Sequence, residues 1–300
     1  MNNIRAYVSD LISLTKPPII SLLLVTATGA IFLASDGSPP LLITIYILIG
    51  GTLGAAGASV INNVIDRNID KAMIRTSKRA VPSRRITPTS ALVYGILLNV
   101  FSFILLNFTV NFTSAFLTIF ASLFYIFIYT IYLKPRTTQN IVIGGAAGCF
   151  PPVIAWVGII GYEGLFNLSP WFMFLIVFLW TPPHFWALAL VRADEYKQAG
   201  VPMLPVVVGA EATRRYIFWY SIALVSFTFA PVVIGLSGVI YGIGAALLGA
   251  IFVTLAVLIR RRRSNACARR LFSFSILYLF LIFVLLAVDH MSWSSTFLGS

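Results

Sequence analysis

Long apolar runs, separated by short polar or charged stretches, repeat along nearly the whole chain. They fall at roughly 17–35, 41–62, 92–110, 113–133, 141–161, 170–191, 214–236, 238–259 and 271–289. Each is near the ~20 residues that a helix needs to cross a bilayer, so the pattern predicts nine membrane helices. Four connections are short and almost free of bases: Asp36–Pro40, Asn111–Phe112, Tyr162–Ser169 and Ser237–Gly238. The alternate connections are long and basic. No linker is long enough to separate two domains, which makes residues 1–300 a single all-α membrane domain.

Composition agrees with this. The chain is 59% hydrophobic and 10% charged, with a mean hydropathy of +0.94. A net charge of +12 does not make it a nucleic-acid-binding protein, because in a membrane chain basicity first reports topology. All 21 Lys and Arg residues fall in the N-terminal segment or in the second, fourth, sixth and eighth connections and their borders. Nine helices put every one of these on the same side. The positive-inside rule makes that side the cytoplasm, with the N-terminus inside and the C-terminus outside. The first apolar run is expected to be a retained span of a multi-pass plasma-membrane protein. Cys149 and Cys267 are too far apart in type of segment to suggest a disulfide or a metal-binding pair.

Charge of both signs gathers between Asn62 and Pro88. Asn62, Asp66 and Asp70 are four apart, so a helix projects all three from one face. Two carboxylates and an amide oxygen are poor lipid contacts but a good partial shell for Mg²⁺, which keeps waters and binds substrate phosphates. The following Arg75, Lys78, Arg79, Arg84 and Arg85 could hold phosphate oxygens turned away from the metal. A solvated loop whose acids balance its bases is the plainer reading. The scarcity of acids, nine in the chain, and their regular spacing at a membrane boundary favour the metal.

A second acidic cluster, Asp194 and Glu195, ends the sixth helix at the same depth as the first. Two clusters suggest two metal ions flanking one diphosphate, with the apolar bundle around its hydrocarbon tail. His184 lies inside the membrane in Trp180-Thr-Pro-Pro-His-Phe-Trp186. It is either a buried hydrogen-bonding residue or, as a neutral imidazole, an iron ligand. Pro182 and Pro183 are expected to kink its helix. Small residues at Gly50–Ala58 and Gly144–Gly148 would permit close helix packing or leave volume for a ligand. The Arg260–Arg263 run reads as a topology signal and anionic-lipid contact.

At these residues the chain resembles the UbiA superfamily of intramembrane prenyltransferases, whose first motif is met by Asn62, Asp66 and Asp70. Within it, the chain is similar to the protohaem IX farnesyltransferase branch. That likeness rests on Leu14-Thr-Lys-Pro17, Asn63–Asp70, Leu133–Gly148, Trp180–Ala189 and Tyr196–Val207. It departs from the wider superfamily where Asp194 is followed four residues later by Gln198, leaving open whether Asp194 or Glu195 meets the metal. The resemblance implies a UbiA-type fold of nine helices around a central cavity. It implies Mg²⁺-dependent transfer of a farnesyl group from farnesyl diphosphate to a vinyl group of haem b, giving haem O. Asn62, Asp66 and Asp70 would hold one ion and Asp194 or Glu195 the second. Lys16, Arg75, Lys78, Arg79 and Lys134 would neutralise diphosphate, and His184 would contact the haem. Implied partners are the lipid bilayer, farnesyl diphosphate, haem b and a downstream haem-modifying enzyme or terminal-oxidase assembly factors. The alternatives are a superfamily member acting on a quinone precursor or lipid acceptor, and a membrane transporter. A transporter expects ionisable groups lining a path at mid-membrane, whereas the acids here lie at helix ends.

Overall fold

A computed structural model describes residues 2–297, with side-chain surroundings given for residues 4–290. Among these residues, nine helices are long and apolar enough to cross a membrane. The spans are, in order, Pro17–Ala34, Leu41–Ile65, Pro88–Thr109, Phe112–Leu133, Asn140–Ile160, Leu168–Val191, Gly209–Val233, Val239–Arg262 and Asn265–His290. Several begin earlier than hydropathy alone suggests, because polar residues start the helix. Thr87 caps the third span, its hydroxyl accepting from the Ser90 N–H, and Pro88 sits in the first turn where no N–H is needed. The seventh span likewise starts at Gly209 and the ninth helix at Asn265.

Consecutive spans pack side by side, and the ninth closes the bundle by packing on both the first and the sixth. The first also packs on the fifth, which draws the two halves together. Large apolar side chains such as Phe101, Phe108, Ile243 and Leu247 are exposed on the outside, as a lipid-facing surface requires. The second and third spans approach closely at Gly57 and Gly95. A Cβ at Gly57 would lie 2.6 Å from the Gly95 carbonyl oxygen, so neither position has room for a side chain. Gly148 is different: a Cβ there meets no atom within 4 Å.

Three irregularities position polar groups at the basic end. A short helix, Asn2–Leu14, precedes the first span, and the Asp10 carboxylate accepts from Arg85 Nε and Nη2 at 2.8 and 2.9 Å. That guanidinium holds the Asp10 carboxyl below its usual range. The second span ends at Ile65, and a six-residue helix, Arg67–Ala72, continues beyond Asp66. The fourth span changes to π-helix over Phe124–Leu133. Across this stretch Lys134 N–H bonds to the Tyr129 carbonyl, five residues back, at 2.9 Å. The wider turn sets Thr130 and Lys134 toward the second span. The sixth span runs on through Pro182 and Pro183 as one helix.

Candidate active site

The helix joint at Asp66 does not disturb the four-residue ladder. The Asp66 N–H bonds to the Asn62 carbonyl at 2.9 Å and the Asp70 N–H to the Asp66 carbonyl at 2.8 Å. Asn62, Asp66 and Asp70 are therefore on one face, each 4% exposed or less. Burying such groups is costly unless each is paired, and the pairing comes from two distant segments and from the loop that follows the ladder. Lys16 Nζ donates to Asn62 Oδ1 at 2.7 Å. Lys134 Nζ donates to Asp66 Oδ2 at 2.5 Å. Arg79 Nη1 donates to Asp70 Oδ2 at 2.7 Å. The ladder also bonds to itself, with Asn62 Nδ2 donating to Asp66 Oδ2 at 2.8 Å.

Lys16 reaches Asn62 from an unusual backbone conformation. Its φ is 57°, in the left-handed region, immediately before Pro17. For a residue with a Cβ this costs roughly 1–2 kcal/mol, and such strain persists where the surroundings demand it. Burial, with Arg79 nearby, draws the Lys16 ammonium down to about 7. Asp66 Oδ1 is buried and has no hydrogen-bond partner, so one carboxylate oxygen of the ladder is left without a donor.

The second acidic cluster separates its two members. Glu195 is turned inward, accepting from Arg192 Nη1 on Oε1 at 2.5 Å, while its Oε2 is buried without a partner. Asp194 is exposed and makes no ion pair among the described residues. The adjoining Tyr196 packs in one apolar group with Ile69, Tyr129, Ile141, Val201 and Met203, which links this cluster to the ladder. Burial raises the Tyr196 phenol, and the charge of Arg75 acts in the opposite sense. Arg75 and Lys78 are both exposed, and neither side chain makes an ion pair among the described residues.

His184 touches neither acidic cluster. Its ring is stacked between Trp180 at 4.3 Å and Phe272 at 4.6 Å, joining the sixth span to the ninth. Nδ1 lies 2.6 Å from Ser275 Oγ. The Ser275 hydroxyl donates to the Phe272 carbonyl at 2.7 Å, so toward His184 it accepts. This assigns the proton to Nδ1 and the lone pair to Nε2.

Four residues at the site are not in the acid–base pattern of the sequence. Thr130 accepts from Asn62 Nδ2 at 3.1 Å, and Thr76 donates to the Asp70 carbonyl at 2.9 Å. Asn63 Nδ2 reaches the Leu14 carbonyl at 3.1 Å. Asn140 is fully buried, with Oδ1 unpartnered. Only the runs of polar residues beside Asn62 and Lys134 hint at them.

Among the described residues, no three of Asp, Glu, His and Cys converge to hold a metal by themselves. The donor set fits an oxygen-seeking ion that completes its shell with water and phosphate oxygens. A family model, the UbiA prenyltransferase family, matches residues 22–291. The chain belongs to the UbiA prenyltransferase family. It is 46% identical over 286 residues to the protoheme IX farnesyltransferase of Parvibaculum lavamentivorans, covering 94% of this chain and 89% of that one. The UbiA fold recurs in a digeranylgeranylglyceryl phosphate synthase structure with a TM-score of 0.78 and 18% identity, over 97% of this chain and 100% of that one. A UbiA homologue from Archaeoglobus fulgidus bound to GPP and Mg²⁺ gives 0.62 and 16%, over 94% and 99%. UbiA membership makes the chain an integral, multi-pass prenyltransferase.

Proposed function

We propose that the chain transfers the farnesyl group of farnesyl diphosphate to a vinyl side chain of haem b, with addition of water, giving haem O and diphosphate. The observation that carries this reading is the Asn62–Asp66–Asp70 ladder closed by Lys16, Lys134 and Arg79. The acceptor rests on the likeness to a protoheme IX farnesyltransferase over nearly the whole length. Two Mg²⁺ ions suit the donors, Asn62, Asp66 and Asp70 holding one and Glu195, rather than Asp194, the other. Mg²⁺ would neutralise charge collecting on the departing diphosphate. Asp66 Oδ1 and Glu195 Oε2, both buried without a donor, supply the free oxygens this needs.

The bases carry the chain's own part. Lys16 turns from the Asn62 amide oxygen, and Arg79 and Lys134 from carboxylate oxygens, to diphosphate oxygens, with Arg75 and Lys78 entering from the loop. The bond between farnesyl C1 and its oxygen breaks, and the electron pair leaves with diphosphate. The vinyl π pair attacks C1 and forms the new carbon–carbon bond. Water adds to the cation left on the haem side chain and loses a proton, which yields the hydroxyl. Contacts that strengthen as charge grows on the leaving oxygens lower this barrier. Tyr125 and Tyr129, stacked at 5.2 Å, offer ring faces to the allylic cation.

His184 is the proposed haem-side residue, its Nε2 lone pair available to iron while Ser275 orients the ring. The basic end of the bundle faces the cytoplasm at the plasma membrane, with the N-terminus inside and the C-terminus outside. A downstream haem-modifying enzyme or terminal-oxidase assembly factors would receive the product. Acceptor competition tests the reading: purified protein with labelled farnesyl diphosphate is offered haem b, a quinone precursor and a glycerol-phosphate lipid together. Label should enter haem. Label in the quinone or lipid would keep the metal site and discard the haem acceptor.

A further inference from the structure

The basic end of the last three spans carries Arg214, Arg215, Arg260 to Arg263, Arg269 and Arg270 near a single acid, Glu211. That acid is taken, by Arg263 at 3.3 Å and Arg214 at 3.7 Å. Arg260 lies over the Phe218 ring at 4.9 Å. The run expected to meet lipid is thus partly engaged with protein. Arg269 and Arg270 are exposed and make no ion pair among the described residues. They edge a shallow, largely open groove on the outer surface, lined also by Leu255, Ser273, Phe274 and Leu277.

Arg270, Ser273, Phe274 and Leu277 are spaced i, i+3, i+4 and i+7, one stripe down the ninth helix. Along that stripe the chemistry changes from guanidinium to hydroxyl to aromatic to aliphatic. A phospholipid presents the matching order, from phosphate through glycerol ester to acyl chain. Leu255, on the eighth span, supplies the facing wall for the chain. The groove is lined by no carboxylate, which sets it apart from the ladder and argues against a metal–diphosphate ligand.

We propose that this groove is a specific site for an anionic phospholipid. The phosphate is held by the guanidinium forks of Arg269 and Arg270, the ester region lies at Ser273, and one acyl chain runs over Phe274 and Leu277 against Leu255.

Native mass spectrometry of the full chain in neutral detergent tests this with phosphatidylglycerol, phosphatidylcholine and farnesyl diphosphate as separate probes. The wild type should retain one phosphatidylglycerol at concentrations where phosphatidylcholine is stripped. The R269Q/R270Q variant should retain it at least tenfold less, with prenyl transfer in neutral detergent unchanged. Should that variant not fold, Leu277→Trp covers the acyl-chain surface and should displace the same lipid. Equal retention of the two lipids, or equal retention by wild type and variants, overturns the proposal. Displacement of phosphatidylglycerol by farnesyl diphosphate from an Asp66→Asn protein also overturns it, in favour of a second diphosphate site.

Discussion

Lys134 Nζ lies 2.5 Å from Asp66 Oδ2, while the other oxygen of the same carboxylate is buried and has no donor. The pair joins positions 68 residues apart and neutralises one acid of the ladder. It leaves that acid one coordination site. Removing only the lysine strands a buried carboxylate, a change that costs about 3–5 kcal/mol. Lys134→Met should therefore melt several degrees lower than wild type without added metal. Mg²⁺ should raise its midpoint more than it raises the wild type's, as differential scanning fluorimetry can read. Equal Mg²⁺ shifts in both proteins would contradict this role for Asp66.

Asp66→Asn and Asp70→Asn each keep the size of the side chain and remove its charge. Turnover should fall by about 10³-fold in either, comparable to loss of a preorganised electrostatic group, while the protein still inserts and elutes as one species. Near-normal turnover would remove the carboxylates from the metal site.

Glu195 and Asp194 are adjacent in sequence but differ in direction, one inward and one exposed. Glu195→Gln should slow turnover at least 100-fold, and Asp194→Asn by no more than a few-fold. Steady-state rates at saturating Mg²⁺ decide it, and the reverse ranking would assign the second ion to Asp194.

Lys16 combines a left-handed backbone with a contact to the ladder. Lys16→Gly relieves the strain and Lys16→Ala does not, so the glycine variant should be more stable than the alanine one by about 1 kcal/mol. Both should bind farnesyl diphosphate at least tenfold more weakly, measured by calorimetry. Wild-type affinity in either would make the contact purely structural.

His184→Ala should change the Soret spectrum of protein-bound ferrous haem. Ser275→Ala, which loses the hydroxyl that orients the ring, should change it less. Affinity for farnesyl diphosphate should stay within a few-fold in both. Unchanged spectra would reduce His184 to a packing residue between Trp180 and Phe272.

The spans and the ladder were legible in the sequence for local reasons. Hydropathy reports each helix separately, and a four-residue spacing survives the joint at Asp66 because the backbone bonds run through it. Arg79 lies close enough in sequence to Asp70 for their pairing to be anticipated. The Lys134–Asp66 contact was not legible, because it depends on how the fourth span packs on the second and on a π-helical turn that Phe124–Leu133 does not advertise. The direction of Glu195 was hidden for a similar reason: a six-residue helix, Ala193–Gln198, sets it, and the adjoining Tyr196 packs with Ile69, Tyr129 and Ile141 from other parts of the chain. The tautomer of His184 needed Ser275, 91 residues away.

The most direct test of prenyl transfer to haem uses purified protein, Mg²⁺, ferrous haem b and farnesyl diphosphate, with pigment masses read after chromatography. The account expects a haem product heavier by one farnesyl and one hydroxyl group, formed by the wild type and lost in Asp66→Asn or when Mg²⁺ is chelated. Unaltered haem b, with the farnesyl group recovered on another acceptor or as intact diphosphate, would contradict it.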